Sequence, residues 1–304
     1  MPSVAAPTRL AGPNRLAGST GLAGPSGLAV PTRPPVPAPS LTGRCAVVLH
    51  AHPDDEAIFT AATVHRLTRA GARVVLVTAT AGELGRVLLP LRAGETLADR
   101  RRAELEAACA LLGVARLVLL GHRDSGMAGW SDNAHPRALA AADPAAVAGR
   151  LADLCSAEGA EALVHYDPGG IYGHPDHVAV HRVGAAAAGL ARLTAYEATV
   201  DATRPVRRRP HLVDRAAAGG PVGWDAAGIA TVVAADGADL AAKRAAMAAH
   251  ASQVPRDAVR RAGFAAAYGR EWYRRVGPPG IVDEVGTGGT PGLAGALGGY
   301  NGQT

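Results

Sequence analysis

Apolar and polar positions alternate along the chain in two textures. The segments CAVVLHA (45–51), RVVLVTAT (73–80), ARLVLLG (115–121), EALVHYD (161–167), LTAYEATV (193–200) and IATVVAAD (229–236) are short apolar runs. Several are rich in β-branched residues, the mark of strands buried on both faces. Between them, residues 56–71, 96–113, 143–157, 176–190 and 240–253 carry helical spacing, and 260–275 reads as a further helix. Gly71 and Gly113 close two of these helices, and Asp143 stands as an N-cap before Pro144 at the first helical position. Strands alternating with helices predict an α/β fold: a Rossmann-like three-layer sandwich, its sheet mostly parallel and covered by helices on both faces. In such sheets ligands bind beyond the carboxyl ends of the strands.

The flanks break the pattern. Residues 1–42 repeat an L-A-G theme and then run through TRPPVPAPS, too dense in Pro and Gly for a helix or a ladder. This predicts a disordered leader, a folded domain over 43–277, and a flexible Gly-rich tail over 278–304. The net charge of +5 raises the question of nucleic acid. Arg9, Arg15, Arg33 and Arg44 fall in or beside the leader, and the one dense basic run, Arg207 to Arg209, has no aromatic residues interleaved. No basic stripe on a recognisable module results, so no nucleic-acid partner is expected. There is no apolar run of about 18 residues and no secretory signal pattern, so no membrane span is expected. The cysteines, Cys45, Cys109 and Cys155, are odd in number and far apart, which argues against a disulfide framework and for a cytoplasmic setting.

The chemistry concentrates at two strand ends. H50-A-H-P-D-D-E56 closes the first strand, where Pro53 disfavours helix at His52 and turns the chain. Y166-D-P-G-G-I-Y-G-H-P-D-H177 follows the fourth strand. A parallel sheet can bring the two ends together. Catalytic zinc usually takes three His or carboxylate ligands and keeps one position open. His52, Asp55 and His177 supply that set, and Asp54 beside them is the candidate general base. Two acids and a histidine within four positions would crowd like charges without a cation.

The pair HAHPDDE and GHPDH resembles the LmbE-like, or PIG-L, family of zinc N-deacetylases, over roughly residues 45–275. That family includes N-acetylglucosaminyl-phosphatidylinositol de-N-acetylase and the bacterial deacetylases of mycothiol and bacillithiol synthesis. The resemblance implies that His52, Asp55 and His177 bind zinc, with iron(II) compatible with the same ligands, and that Asp54 is the base. It implies a protonated His174 that steadies the tetrahedral intermediate and protonates the leaving amine. It further implies a Tyr172 able to approach the oxyanion and an Asp176 that orients a histidine or tunes its pKa. T80-A-G-E-L-G85, R101-R-A-E-L105 and G121-H-R-D-S-G-M-A-G129 are similar to the mycothiol branch. Glu83, Arg101 and Asp124 are thereby implied as substrate contacts. The chain departs from that branch at Arg86, at Ile171 where the branch has Gly, and over 200–228.

The expected activity is hydrolysis of an N-acetyl group from an N-acetylglucosamine-type amino sugar or glycoside, a small-molecule substrate, by an enzyme that could form a homo-oligomer. An amidase acting on a mycothiol-type S-conjugate would use the same machinery. A non-catalytic sugar-binding module would show a damaged constellation, which this is not. A nucleotide-binding reading fails because no G-x-G-x-x-G follows the first strand. His50 reads as a buried support. His65 and His181 read as packing or surface residues, and His250 and Gln253 as structural. His122, His135, His165 and His211 show no partner pattern.

Overall fold

The structure is a computed structural model that describes residues 40–204 and 222–286. Residues 1–39 of the expected leader, the Arg207–Arg209 run, His211 and most of the 200–228 departure lie outside the described residues, while Leu41, expected in the leader, is buried and donates to Ala70 O. Among the described residues, seven strands form one sheet in the order β3-β2-β1-β4-β5-β7-β6. The strands β1 (Cys45–His50), β2 (Arg73–Thr80), β3 (Arg116–His122), β4 (Ala162–Tyr166) and β5 (Thr194–Thr199) run parallel. The last two, β6 (Thr231–Ala234) and β7 (Arg270–Val276), join antiparallel, with β7 between β5 and β6. Every residue of β1 and β4 is buried, so the centre of the sheet is covered on both faces.

The longer helices are α1 (Ala61–Arg69), α2 (Leu97–Leu112), α3 (Pro144–Ala157), α5 (Pro175–Ala191) and α6 (Gly237–Ala249). Short turns of helix make α4 (Gly170–Gly173), α7 (Arg256–Arg260), α8 (Phe264–Tyr268) and α9 (Ile281–Val285). Helices α3 and α5 pack on each other, while α6 packs against α1 and α2. Local chemistry sets their ends. Thr96 and Asp99 form a capping box on α2, Gly113 closes it at φ +74°, and the Asp143 side chain accepts from Ala145 N on α3.

Two expectations change. Residues 260–275 are not one helix: they form the end of α7, then α8, then β7. The segment REWYRRV carries Trp272 and Tyr273, residues that suit a pleated surface, and it pairs with strands on both sides. The stretch 278–286, expected to begin a flexible tail, packs instead. Ile281, Val282 and Val285 of α9 are buried, and Asp283 accepts from Tyr196, Thr231 and Arg275. No described helix is long and apolar enough to cross a membrane. All three cysteines are buried and free.

The sheet order places the site. Strands β1 and β4 are neighbours, with Val48 opposite Val164, while the chain leaves them toward opposite edges. This is the point where strand order reverses, and the crevice beyond it is where ligands bind in such sheets. Both sequence clusters open into that crevice.

Candidate active site

The first cluster turns sharply after β1. Asp54 adopts φ +109°, a conformation that side-chain-bearing residues rarely take. Its surroundings hold it there. Glu56 Oε2 accepts from Asp54 N at 3.0 Å. Arg101, on α2, donates to Pro53 O, to Gly82 O at 2.8 Å and to Asp54 Oδ1 at 3.1 Å. Glu56 is itself fixed by His250 Nε2, 2.5 Å away and fully buried. The chain then enters a π-helical turn, Glu56–Thr60, before α1; such turns are frequent at functional sites.

The second cluster turns over α4 onto α5. Gly170, at φ +57°, lies so close to His177 that a Cβ there would sit 2.7 Å from its Cβ. Ile171 takes φ +66°, a costly conformation for a β-branched residue, with its N–H held by Asp167 Oδ1 at 2.9 Å. The turn delivers Tyr172, His174 and His177 to the crevice. Tyr166, the last residue of β4, stacks on the His177 ring with centroids 4.5 Å apart and planes at 19°. Its hydroxyl lies 2.8 Å from His50 Nδ1, and His50 Nε2 lies 2.8 Å from Thr60 Oγ1. His50 is thus the buried support expected of it.

His52, Asp55 and His177 converge. Asp55 Oδ2 lies 3.5 Å from His52 Nδ1 and 3.4 Å from His177 Nε2. A tetrahedral ion with bonds of about 2.0–2.2 Å has ligand–ligand edges of roughly 3.3–3.6 Å, so this donor set fits such an ion. The other faces of the donors are prepared as well. Asp55 Oδ2 accepts from His52 N at 2.8 Å. His52 Nε2 lies 3.1 Å from Asp176 Oδ2, and Asp176 accepts from Ser125 N at 2.9 Å and from Ser125 Oγ. A carboxylate behind a ligating histidine fixes its tautomer and orientation. Asp176 therefore orients His52.

The charge states follow from burial and neighbours. Burial alone would raise the Asp55 carboxyl; His177 and His52 outweigh it and hold it well below the carboxylate range. For His52, three carboxylates, Asp124, Asp176 and Asp55, outweigh burial and raise it. Burial pushes Asp54 up to about 6, with Arg101 opposing and Asp55 adding to the rise. Burial, then Asp55 and Asp54, keep the Tyr172 hydroxyl protonated well above its ordinary range; its oxygen lies 3.4 Å from His177 Nε2.

Three of the expected site residues sit in settings that the resemblance does not specify. Burial, then His52 and His177, push His174 down to about 3, against the protonated ring that the resemblance implies. Its Nδ1 accepts from Asp176 N at 3.1 Å, capping α5, so the neutral ring carries its proton on Nε2. Arg101 is buried, and its hydrogen bonds go to the Asp54 turn and to Gly82 rather than outward. Asp124 is buried too. It ties two loops by accepting from Leu84 N at 3.2 Å and Gly126 N at 2.8 Å, and it lies 3.7 Å from His52 Nε2. Glu83, half-buried, accepts from Asp124 N through Oε1 and leaves Oε2 buried without a hydrogen-bond partner.

Glu56, Ser125 and Tyr166 escaped the sequence reading as functional supports. Glu56 and Tyr166 stood inside the quoted clusters, which was a usable signal. Ser125 stood inside the quoted segment 121–129, where the attention fell on Asp124 instead.

The chain is similar to known proteins. Residues 47–188 match the family described as PIG-L: GlcNAc-PI de-N-acetylase. The chain is 40% identical over 257 residues to a 1D-myo-inositol 2-acetamido-2-deoxy-alpha-D-glucopyranoside deacetylase of Kineococcus radiotolerans, covering 70% of each chain. It is 45% identical over 150 residues to a deacetylase of the same name from Acidothermus cellulolyticus, covering 46% of this chain and 51% of that one. For this and other such relatives, the match spans about half of their length. Among solved structures, the fold is similar to the A40926 pseudoaglycone deacetylase Dbv21, with TM-score 0.54, 16% identity, and coverage of 76% of this chain and 96% of that one. It is also similar to the N,N'-diacetylchitobiose deacetylase of Pyrococcus horikoshii, with TM-score 0.51, 22% identity, and coverage of 77% and 84%.

Proposed function

Because the chain belongs to the PIG-L family, we propose that it hydrolyses the N-acetyl amide of an N-acetylglucosamine-type amino sugar, with a glycoside such as the inositol conjugate named for its relatives as the substrate class. The observation that carries the reading is the pairing of a triangle of ion-binding donors, His52, Asp55 and His177, with a strained carboxylate, Asp54, next to it. Zinc, or iron(II), is the ion that this donor set suits. When bound, it supplies a Lewis acid for the acetyl carbonyl and lowers the pKa of water from about 15.7 to about 7.

The chain's own groups do the rest. A carboxyl poised near 6 can take a proton at neutral pH and is acidic enough to return it, so Asp54 serves as base toward water and then as proton donor to the departing amine. Arg101 and Glu56 keep it aimed. An amide carbon turning tetrahedral develops negative charge on oxygen, and fixed donors lower that barrier. Tyr172 offers its hydroxyl, and neutral His174 offers Nε2–H. Glu83 Oε2, a buried acceptor without a partner, suits a sugar hydroxyl.

A panel tests the reading: the zinc-loaded protein with N-acetylglucosaminyl-inositol, simpler N-acetylglucosaminides and a mercapturate-type thiol conjugate. Release of acetate with a free sugar amine is the expected result. Cleavage of the thiol conjugate alone would replace it with the amidase alternative.

A further inference from the structure

One turn along α5 from His177, a second set of ligating side chains comes together. His165 on β4 and Glu197 on β5 are direct cross-strand partners, so their side chains share a face of the sheet. His181 comes down onto that face from α5, four residues after His177 and so on the same side of the helix. One ligand atom from each of His165, His181 and Glu197 lies within 4.8 Å of the others. We propose that these three residues form a second binding site for a divalent transition-metal ion of the zinc type, separate from the candidate active site.

The hydrogen bonds prepare the ligands. His165 Nδ1 lies 2.9 Å and His181 Nδ1 3.1 Å from the same atom, Tyr166 O. A carbonyl oxygen only accepts, so each ring carries a proton on Nδ1, and a neutral ring in that tautomer presents its lone pair at Nε2. A backbone carbonyl behind each ring is the arrangement that supports ligating histidines. His165 Nε2 is buried without a partner, a costly state for a polar atom that a bound ion would relieve. Burial and the neighbouring His181 push His165 down to about 3, so its lone pair stays free of protons at neutral pH. Glu197 divides its oxygens: Oε2 takes Arg274 Nη1, and Oε1 faces His181 Nδ1 at 3.7 Å.

The packing is specific to the histidine. A Cβ at Gly184 of α5 would sit 2.4 Å from His165 Cγ, so only glycine lets the helix close over this ring. The site has a way in, since the His181 side chain is 20% exposed beside Arg274 at 24%. Two imidazoles and a glutamate with one open position are a recurring zinc ligand set. Edges of roughly 3.3–3.6 Å are needed around such an ion, so on binding the His181 side chain turns to bring Nε2 toward Glu197 and the three ligand atoms draw together. The guanidinium of Arg274 repels a cation, so this site fills after the first.

The test uses the full chain, stripped of metal and equilibrated with Zn²⁺ alone. Metal analysis of the wild type is expected to reach two zinc ions per chain, with the second binding more weakly. Anomalous diffraction at the zinc edge is expected to place that ion between His165, His181 and Glu197. His181→Ala, with its circular dichroism unchanged, is expected to stop at one. Saturation of the wild type at one ion, an anomalous peak elsewhere for the second, or two ions at these same positions in His181→Ala would each overturn the proposal. The wild-type map decides even if the variant does not fold.

Discussion

Asp54 is the residue on which the proposed chemistry turns. A side chain at φ +109° is strained and persists only where its neighbours impose it, as Glu56 does at its amide and Arg101 at its carboxylate. Arg101 therefore acts through Asp54. Arg101→Met is expected to lower kcat by about 10–100-fold, the scale of an ångström of misplacement, while KM and zinc content stay close to wild type. A substrate contact would give the opposite split, with KM raised and kcat kept, and steady-state kinetics beside metal analysis distinguishes the two. The candidate ligands and the candidate base were legible in the sequence as two clusters, because each lies in a short segment at a strand end. The clamp was not: Arg101 stands 47 positions from Asp54, and His250 stands 194 from Glu56. Spacing in the chain says nothing about such pairs until the sheet closes. The lowering of His174 was hidden for a related reason, since besides its neighbour His177 it depends on burial and on His52, brought from the other cluster.

At the scale of elements, the antiparallel edge of the sheet braces the helix that follows the base. Glu271 of β7 accepts from Ala62 N, Thr63 N and Thr63 Oγ1, satisfying the free N-terminal donors of α1. Lys243 of α6 pairs with the same carboxylate at 2.5 Å, and both side chains are 1% exposed. Removing one partner of a buried pair leaves the other charge without compensation. Lys243→Met is expected to destabilise the fold by about 3–5 kcal/mol, read as a lower midpoint in urea with little change in slope. A loss under about 1 kcal/mol would mean that Glu271 is satisfied by the α1 amides alone. The five parallel strands were readable as apolar runs. The strand β7 was not, because Arg270, Arg274 and Arg275 break the alternation and the segment follows a run rich in alanine; pairing on both sides overrides local preference there.

For the whole molecule, buried histidines set the response to acid. Burial pushes His50 down to about 4 and His165 to about 3, against about 6.5 in an unfolded chain. Between those values the unfolded state binds more protons than the folded one, so stability is full above about pH 6.5 and is lost as pH falls toward 4 and then 3. His250, raised by Glu56, works in the other direction. Without added metal, the melting temperature is expected to drop steeply below pH 6, and His165→Gln is expected to flatten that slope. An equal slope in the variant would contradict the assignment. The same sheet that buries these rings sets β1 beside β4 and so creates the crevice, a consequence of strand order that the two motifs suggested but only the topology supplies.

Asp54 is the proposed group that moves the proton in amide hydrolysis. The decisive measurement is free-amine release from N-acetylglucosaminyl-inositol by zinc-loaded wild type and Asp54→Asn, with bound zinc quantified in both. The account predicts equal zinc content and a rate lower by about 10²–10⁴ in the variant. An Asp54→Asn protein that binds zinc and turns over at the wild-type rate would contradict it.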